Sequence, residues 1–310
     1  MNRTVTAALA VTVSLLATRA ASADTRSWTA VKKVVGKGDT AVVGIDLAKL
    51  RTTTAFRQGL DLFLDNEPEA KGVMDAVKSE CGFDIVTTLS DLTVVMQGDD
   101  HPLVAFGLDG IDEAKVVDCL GKVAGKMVGA TGIKLTGKKI GKITEYSVKG
   151  EKKKLYAAWL AKDVLVFTDD ANDRKKLEKR LTGKGAHPDL KAFLGKASPA
   201  APFWFAVAQK DTDDGRTILG GYGKVEIAGA MFKAAGAVVT AKPADATSMV
   251  AEANQALAAA RANDELKKMP ELARALGTVT LSASGAEIVI GASIADKDIA
   301  TIVPQFDHLF

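Results

Sequence analysis

Short runs of alternating hydrophobic and polar residues recur along this chain in pairs, and each pair is followed by a segment with helical spacing. The clearest unit has two such runs over 92–97 and 103–108, then Asp112 and an amphipathic segment. The apolar positions of that segment step by four, three and four: Val116, Leu120, Val123 and Met127. Alternation predicts half-buried strands, and steps of three and four predict one face of an α-helix capped by the aspartate.

Three further units follow the same order of hairpin, cap and helix. Their paired strands are predicted over 155–160 with 164–168, 225–231 with 235–241, and 279–282 with 287–294. Their helices begin at Asn172, Asp245 and Asp296, residues that commonly cap a helix N-terminus. A lone strand over 41–45 precedes all four units and leads through Asp46 into one helix that reaches Leu64.

Hairpins that alternate with helices predict the α+β class, with an antiparallel or mixed sheet and helices packed on one face. A doubly wound parallel sheet needs single strands between helices, and a solenoid needs a regular period, so both are disfavoured. A segment rich in Gly, Ser, Ala and Pro over 195–202 marks the best boundary. We therefore predict two similar lobes, residues 24–200 and 201–310.

The first 23 residues have the organisation of a secretory signal peptide. Arg3 precedes an apolar run over 5–17, and Ala21-Ser22-Ala23 closes the segment with small residues. The run is shorter than the roughly 20 apolar residues of a membrane span, and Asp24 is not the cysteine of a lipid anchor. We predict cleavage between Ala23 and Asp24, a periplasmic or secreted location and no transmembrane anchor.

Net charge restricts the partners. The chain has 41 Lys+Arg against 38 Asp+Glu, and removal of residues 1–23 takes away two arginines and no acid, which leaves 39 against 38. This near balance does not favour nucleic acid as a partner. An apolar fraction of 47% predicts a packed core. An envelope component or another protein is the expected partner.

The two cysteines, Cys81 and Cys119, both lie after the predicted cleavage site. In an oxidising compartment two thiols usually form one bridge, and each cysteine lies in a predicted helix. We predict a Cys81–Cys119 disulfide with a structural role. The alternative is two buried, reduced cysteines.

The densest charge feature is a lysine-rich hairpin over 134–154, in which lysines alternate with apolar residues. Lysines on an exposed strand hinder edge-to-edge aggregation, and that is the favoured interpretation. The functional alternative is a patch that docks onto an anionic envelope surface or an acidic partner. Its members are Lys138, Lys139, Lys142, Lys152, Lys153 and Lys154.

No motif for metal binding or catalysis emerges. The segment 211–215 begins like a calcium loop, but Tyr222 stands where the loop ends in Glu, so a turn or a cap is predicted instead. Neither G-x-S-x-G nor S-x-x-K occurs. A cleft built from distant carboxylates, such as Asp100 and Asp170, stays open. The histidines lack the spacing of zinc ligands: His101, His187 and His308. We predict no catalytic residue, no metal and no cofactor.

Two glycine- and alanine-rich segments lie next to each other. Residues 220–224 lack the order of a phosphate-binding loop and precede a strand, so they are predicted to be a plain loop. Residues 227–241 are almost wholly small and apolar and are too short to span a bilayer. They predict a buried hairpin, with the wall of an apolar ligand pocket as the alternative.

Segments 43–51, 79–84 and 89–95, which read VGIDLAKLR, SECGFD and LSDLTVV, resemble a group of uncharacterised exported bacterial proteins. The similarity extends to residues 285–299. It implies export and a regular fold, and it carries no activity to any residue.

We therefore expect a non-enzymatic periplasmic binding or envelope-associated protein. The alternatives are a carrier that holds an apolar ligand between sheet and helices, and an unrecognised hydrolase. A deep apolar cavity favours the carrier, a cleft with converging Asp, His and Ser favours the enzyme, and a well-filled core with neither favours the binding protein.

Overall fold

The computed structural model describes residues 24–97, 102–127, 135–148, 154–168, 171–182 and 185–302. The predicted signal peptide lies outside the described residues, as do these members of the candidate sites: Asp100, His101, Lys152, Lys153, Asp170 and His308. In the described part of the chain, no helix combines the length and the apolar character that a membrane crossing requires.

Thirteen strands within the described ranges form one antiparallel sheet. They are β1 Ala41–Ile45, β2 Leu89–Met96, β3 Leu103–Leu108, β4 Leu135–Ile140, β5 Ile143–Val148, β6 Lys154–Ala161, β7 Val164–Thr168, β8 Phe203–Val207, β9 Asp211–Asp213, β10 Arg216–Ala228, β11 Met231–Thr240, β12 Thr280–Ser284 and β13 Glu287–Ala295. Their order is β12-β13-β11-β10-β8-β1-β2-β3-β7-β6-β5-β4, and β9 pairs with β10 alone. The sheet is open, with β12 and β4 at its edges.

The helices connect and cover these strands. They are α1 Arg26–Val31, α2 Leu47–Leu50, α3 Thr54–Asn66, α4 Pro68–Cys81, α5 Ile85–Thr88, α6 Glu113–Met127, α7 Ala171–Leu181, α8 Pro188–Leu194, α9 Pro243–Ala262, α10 Asp264–Lys267, α11 Pro270–Thr278 and α12 Asp296–Ile302. The α+β class and the antiparallel sheet are thus confirmed.

The main core lies on one face of the central strands. Trp204 of β8 is fully buried there and meets Trp28 of α1 edge to face, with 4.9 Å between ring centroids. Gly44 makes this packing possible, because a Cβ at that position would overlap the indole nitrogen of Trp204. Helices α7 and α8 add Leu177 and Leu190 to the same core.

Helices lie on both faces of the sheet, whereas the sequence predicted one face. Val239 packs against the main core, while its neighbour Val238 packs under Ala246 and Val250 of α9. Adjacent residues of a strand point to opposite faces, so α9 covers the face opposite to α1 and α8. The physical reason is that β11 carries apolar side chains at consecutive positions and so exposes apolar surface on both faces.

The single helix predicted from Asp46 to Leu64 is wrong, because the chain breaks into α2 and α3. The hydroxyl of Thr53 accepts a hydrogen bond from the Phe56 amide and so begins a second helix. The carboxylate of Asp296 reinforces this start by accepting from the Thr54 and Ala55 amides, each at 2.7 Å. Burial alone would raise the pKa of Asp296, but these hydrogen bonds outweigh it and lower that pKa.

The predicted loop over 220–224 is also wrong, since these residues lie inside β10. Their glycines permit close approach to the neighbouring strands. A Cβ at Gly220 would overlap the carbonyl of Val207, and one at Gly223 would lie 2.7 Å from the ring of Phe205. A cluster of glycines indicates a loop when the sequence is considered alone. In this protein the glycines allow neighbouring strands to pack closely.

In the hairpin of β10 and β11, the first strand was predicted to end at 231 and the second to begin at 235. In the structure β10 ends at Ala228 and β11 begins at Met231, so the chain turns at residues 229–230. The reason is Gly229, whose φ of 61° suits a tight turn. The segment 227–241 is a hairpin as predicted, although only part of it is buried. The predicted lobe boundary falls just before β8, and pairing of β8 with β1 joins both halves in one sheet. The division into lobes stays a prediction.

Candidate functional site

Helix α6 lies over β6 and β7, is capped by Asp112 and is joined to α4 by a disulfide. The carboxylate of Asp112 accepts a hydrogen bond from the Lys115 amide at 3.1 Å, as the predicted cap requires. Cys119 of α6 is bonded to Cys81 at the end of α4, with 5.1 Å between their Cα atoms. The predicted disulfide is confirmed, and it packs beside Val77 in a small buried cluster.

An apolar cavity of about 180 Å³ lies between α6 and the sheet. In the described part of the chain, every side chain that lines it is aliphatic or aromatic. Helix α6 contributes one side of the lining, and strands β5, β6 and β7 contribute the other: Val116, Val117, Leu120, Tyr146, Leu155, Ala157, Trp159, Leu165 and Phe167. We call this space the α6 cavity.

The outer edge of the α6 cavity carries an exposed aromatic pair. Phe167 is 50% exposed and stacks on Phe106 of β3, with 5.5 Å between centroids. A half-exposed phenylalanine leaves apolar surface in water, which is unfavourable unless something covers it. The apolar lining therefore continues to the surface at this edge.

Three side chains form a polar strip beside the cavity: Glu113 of α6, Tyr146 of β5 and Trp159 of β6. The hydroxyl of Tyr146 donates to Oε1 of Glu113 at 2.5 Å. Burial, and then the hydrogen bond and charge of Glu113, raise the pKa of Tyr146 to about 12. The neighbouring Trp159 acts on this pKa in the opposite direction, because its buried Nε1 lies near the Tyr146 hydroxyl, although the two form no hydrogen bond of normal geometry.

A polar cleft of about 470 Å³ adjoins the α6 cavity and shares Val117, Tyr146 and Trp159 with it. Its outer wall includes Gly137 and Lys139 of β4. A Cβ at Gly137 would lie only 3.2 Å from the Tyr146 ring, so the glycine keeps this entrance open. Glycine inside a strand often marks a place where another group approaches closely.

The predicted lysine patch is divided by the sheet. Lys138 lies opposite Glu145 in β5, and Lys154 forms a 2.8 Å ion pair with the same glutamate. Lys139 points to the other face, lines the polar cleft and has no partner in the residues that the structure describes. Lys142 donates to the carbonyl of Leu181 at 2.9 Å, at the end of α7.

The described lysines therefore do not form one continuous patch. Residues 138 and 139 occupy successive positions of β4 and so project from opposite faces. Lys152 and Lys153 lie outside the described residues. Docking of the patch onto an anionic surface stays a prediction.

A second cleft, of about 520 Å³, lies on the opposite face beside α8. Phe193 and Val239 contribute to its lining, as do Lys37 and Lys210. Its buried acid is already neutralised, because Asp39 forms a 2.7 Å ion pair with Arg180. The lining of this cleft is of mixed polarity, whereas the side chains that line the α6 cavity are aliphatic or aromatic.

The remaining predicted features are structural where the structure describes them. His187 caps α8 by accepting from the Asp189 amide. The segment 211–215 forms β9 and a turn with positive φ at Asp214 and Gly215, as a turn prediction requires. Within the described ranges, no group of three or more His, Cys, Asp or Glu side chains is arranged to hold a metal ion.

No protein-family model and no curated protein matches the chain. Among solved structures, crystal form III of TP0453 is similar with 10% identity, 87% of this chain and 96% of that chain covered, and a TM-score of 0.45. Crystal form I gives 10% identity, 87% and 94% coverage and 0.44, and crystal form IV gives 9%, 90% and 99% and 0.45.

Proposed function

We propose that this protein is an exported, non-enzymatic binding protein that holds a small apolar group between α6 and the sheet. The observation that carries the proposal is the α6 cavity, whose described lining is wholly apolar or aromatic. Concave, mostly apolar sites that are bordered by a few polar groups are the usual form of small-molecule pockets. The cleft beside α8, by contrast, has charged residues in its lining.

The size of the α6 cavity limits what it can hold. A dry apolar cavity of roughly 150 Å³ accommodates a benzene molecule. At about 180 Å³, the α6 cavity suits a phenyl ring or a short branched alkyl group. A long acyl chain would not fit within this volume alone. Occupation would restore the van der Waals contacts that the lining side chains lack across an empty space.

Two features support the other parts of the proposal. The order of charged, apolar and small residues over 1–23, together with the Cys81–Cys119 disulfide, supports export to an oxidising compartment. The second feature, the Tyr146–Glu113 pair beside the cavity, supports a binding role without catalysis. Tyr146 stays protonated there at neutral pH, and Glu113 is occupied by its hydroxyl, so this pair supplies no activated nucleophile.

The proposal is tested with toluene as the probe, by methyl NMR of the full mature protein. We expect saturable shifts of Leu120, Leu155 and Leu165, which line the cavity. Val117→Phe fills the cavity and should abolish these shifts. Val73→Phe makes the same change at a position on α4 that is 38% exposed, and should leave them unchanged.

Two results would contradict the proposal. One is the absence of saturable shifts in the wild-type protein at the solubility limit of toluene. The other is equal binding by the wild-type protein and the folded Val117→Phe variant, because an added ring cannot share a cavity of this size with toluene.

A further inference from the structure

The central strands of the sheet are apolar on both faces, but the described residues cover only one face completely. In β2, Val95 belongs to the main core and is fully buried, whereas its neighbour Val94 is half-buried and Met96 is exposed. The same alternation runs through β3, β7 and β8. Strands that are apolar on both faces are usually buried on both faces. The face opposite to the main core therefore carries apolar surface without a complete cover.

The apolar side chains of this second face form two rows that begin at the α6 cavity. Residues paired across antiparallel strands lie on the same face, with their Cβ atoms about 5 Å apart. Such pairs connect β6 through β7, β3, β2 and β1 to β8. One row starts at Trp159 and Leu165 and the other at Ala157 and Phe167, all of which line the cavity. Beyond the cavity the rows continue through half-buried residues, which we call the apolar strip: Phe106, Leu92, Ile45 and Phe203 in the first row, and Val104, Val94, Val43 and Phe205 in the second.

The two rows are long and narrow. Neighbouring strands lie about 4.8 Å apart, so the rows extend for roughly 24 Å from β6 to β8, and they are separated by about 7 Å. The apolar strip amounts to on the order of 300 Å², whereas each partner in a stable protein complex buries about 800 Å². Exposed apolar surface of a few hundred Å² often marks a ligand-binding groove. These dimensions suit a single extended chain better than a protein partner.

The connection between the α6 cavity and the apolar strip determines how a ligand would lie. Phe167 lines the cavity, is half-exposed and stacks on Phe106, the first residue of the strip. The cavity holds about as many carbons as a benzene ring, so a longer apolar chain has to continue past this aromatic pair. Neither row contains a charged side chain. The strip therefore favours the chain itself over any particular head group.

We infer that this protein binds the linear alkyl chain of a single-chain lipid, with the end of the chain in the α6 cavity and the rest of it along the apolar strip. The inference rests on the proposed function, because it extends the ligand held in the cavity. A chain in this position removes the apolar surface of both rows from water, which is favourable for every methylene that is buried. It also supplies the cover that one face of the central strands lacks.

A series of alcohols of increasing chain length tests the inference: 1-hexanol, 1-octanol and 1-decanol. Dissociation constants are measured by NMR titration of the mature protein, below the solubility limit of each alcohol. We expect the dissociation constant to fall about two- to fourfold for each added methylene, the upper value corresponding to complete burial. A site limited to the cavity predicts instead that the gain stops once the cavity is full.

Methyl shifts locate the chain in the wild-type protein. 1-Decanol should shift the methyl signals of Leu92, Val94 and Val43 in addition to those of the cavity, whereas toluene should shift only those of the cavity. Val42 and Val95 are the matched controls, because they are next in sequence to strip residues but are fully buried on the opposite face. Their signals should stay unchanged.

A charge placed in the apolar strip should shorten the chain that binds. Val94→Lys puts an ammonium group in the path of the chain and should bring the dissociation constant of 1-decanol to within about twofold of that of 1-hexanol. Val289→Lys makes the same change at an exposed position of β13 and should keep the wild-type difference. Toluene titration checks that the cavity of each variant is intact.

The outcomes separate the inference from the proposed function. Equal affinities of 1-hexanol and 1-decanol for the wild-type protein, together with saturable toluene binding, would overturn the inference and leave the proposed function in place. A dimer in sedimentation whose dissociation on dilution shifts Val43 and Val94 would also overturn it, since a second copy would then cover the strip. If neither toluene nor any alcohol binds, the inference and the proposed function both fail.

Discussion

Removal of the disulfide should destabilise the protein by an amount that follows from the length of the loop it closes. Cys81 and Cys119 are 38 residues apart in sequence. The chain-entropy relation then gives a loss of about 13 cal/mol/K in the unfolded state, or about 4 kcal/mol at 25 °C. Because Cys119 is buried beside Val77 and Val123, its replacement also removes packing contacts.

The test is urea unfolding of the wild-type protein and of the double variant Cys81→Ala/Cys119→Ala. We expect the free energy of unfolding to fall by about 3 to 5 kcal/mol in the variant. Dithiothreitol should produce a loss of similar size in the wild-type protein and none in the variant, which serves as the control. Equal stability of the two proteins within about 1 kcal/mol would refute the reasoning.

The same bridge should also affect binding. It fixes α6 against α4, and α6 forms one wall of the cavity. The double variant, measured below its unfolding temperature, should therefore bind toluene more weakly than the wild-type protein. Unchanged toluene affinity would show that packing against the sheet suffices to hold α6 in place.

Three further outcomes can be measured independently. In chemical denaturation, Gly44→Ala should lower the free energy of unfolding by about 1 to 3 kcal/mol, because the added methyl meets Trp204. The control is Gly72→Ala in α4, which has open space around it and should leave the free energy of unfolding unchanged or raise it by up to about 1 kcal/mol. Asp296→Asn should cost about 1 to 2 kcal/mol at neutral pH, and because the pKa of Asp296 is lowered in the folded protein, the difference from wild type should shrink as the pH falls below about 4. Ultraviolet titration should find one tyrosine with a pKa of about 12 that is missing in Tyr146→Phe. Because folding raises this pKa, the contribution of Tyr146 to stability is complete below pH of about 10 and is lost as the pH rises towards 12.

The local alternation of apolar and polar residues predicted some strands correctly. The predicted bounds 103–108 and 164–168 are those of β3 and β7, because alternating apolar residues end there at polar turns. The pattern failed where a distant residue decides the structure. Asp296 accepts from amides 241 and 242 residues away at the start of α3, and no local feature announces that partner. The glycines of β10 led to the wrong prediction of a loop for the same reason, because their tight contacts are with other strands.

The candidate site was predicted only in part. The helical spacing identified Val116 and Leu120 as one apolar face, and the lysine-rich hairpin contained Lys139, but nothing joined these segments into a site. Glu113 and Trp159 were not selected, because neither belongs to a motif and only the fold brings them to Tyr146. Two local signals lie in the sequence: a glycine, Gly137, inside the predicted hairpin, and a tryptophan, Trp159, in a predicted strand.

The central claim is that the α6 cavity is an apolar binding site, and a crystal structure of the mature protein under xenon pressure tests it most directly. Xenon enters dry apolar cavities of this size. The account predicts a xenon atom between α6 and strands β6 and β7, in contact with Leu120, Leu155 and Leu165. A cavity closed by side-chain packing, or filled with ordered water in place of xenon, would contradict it.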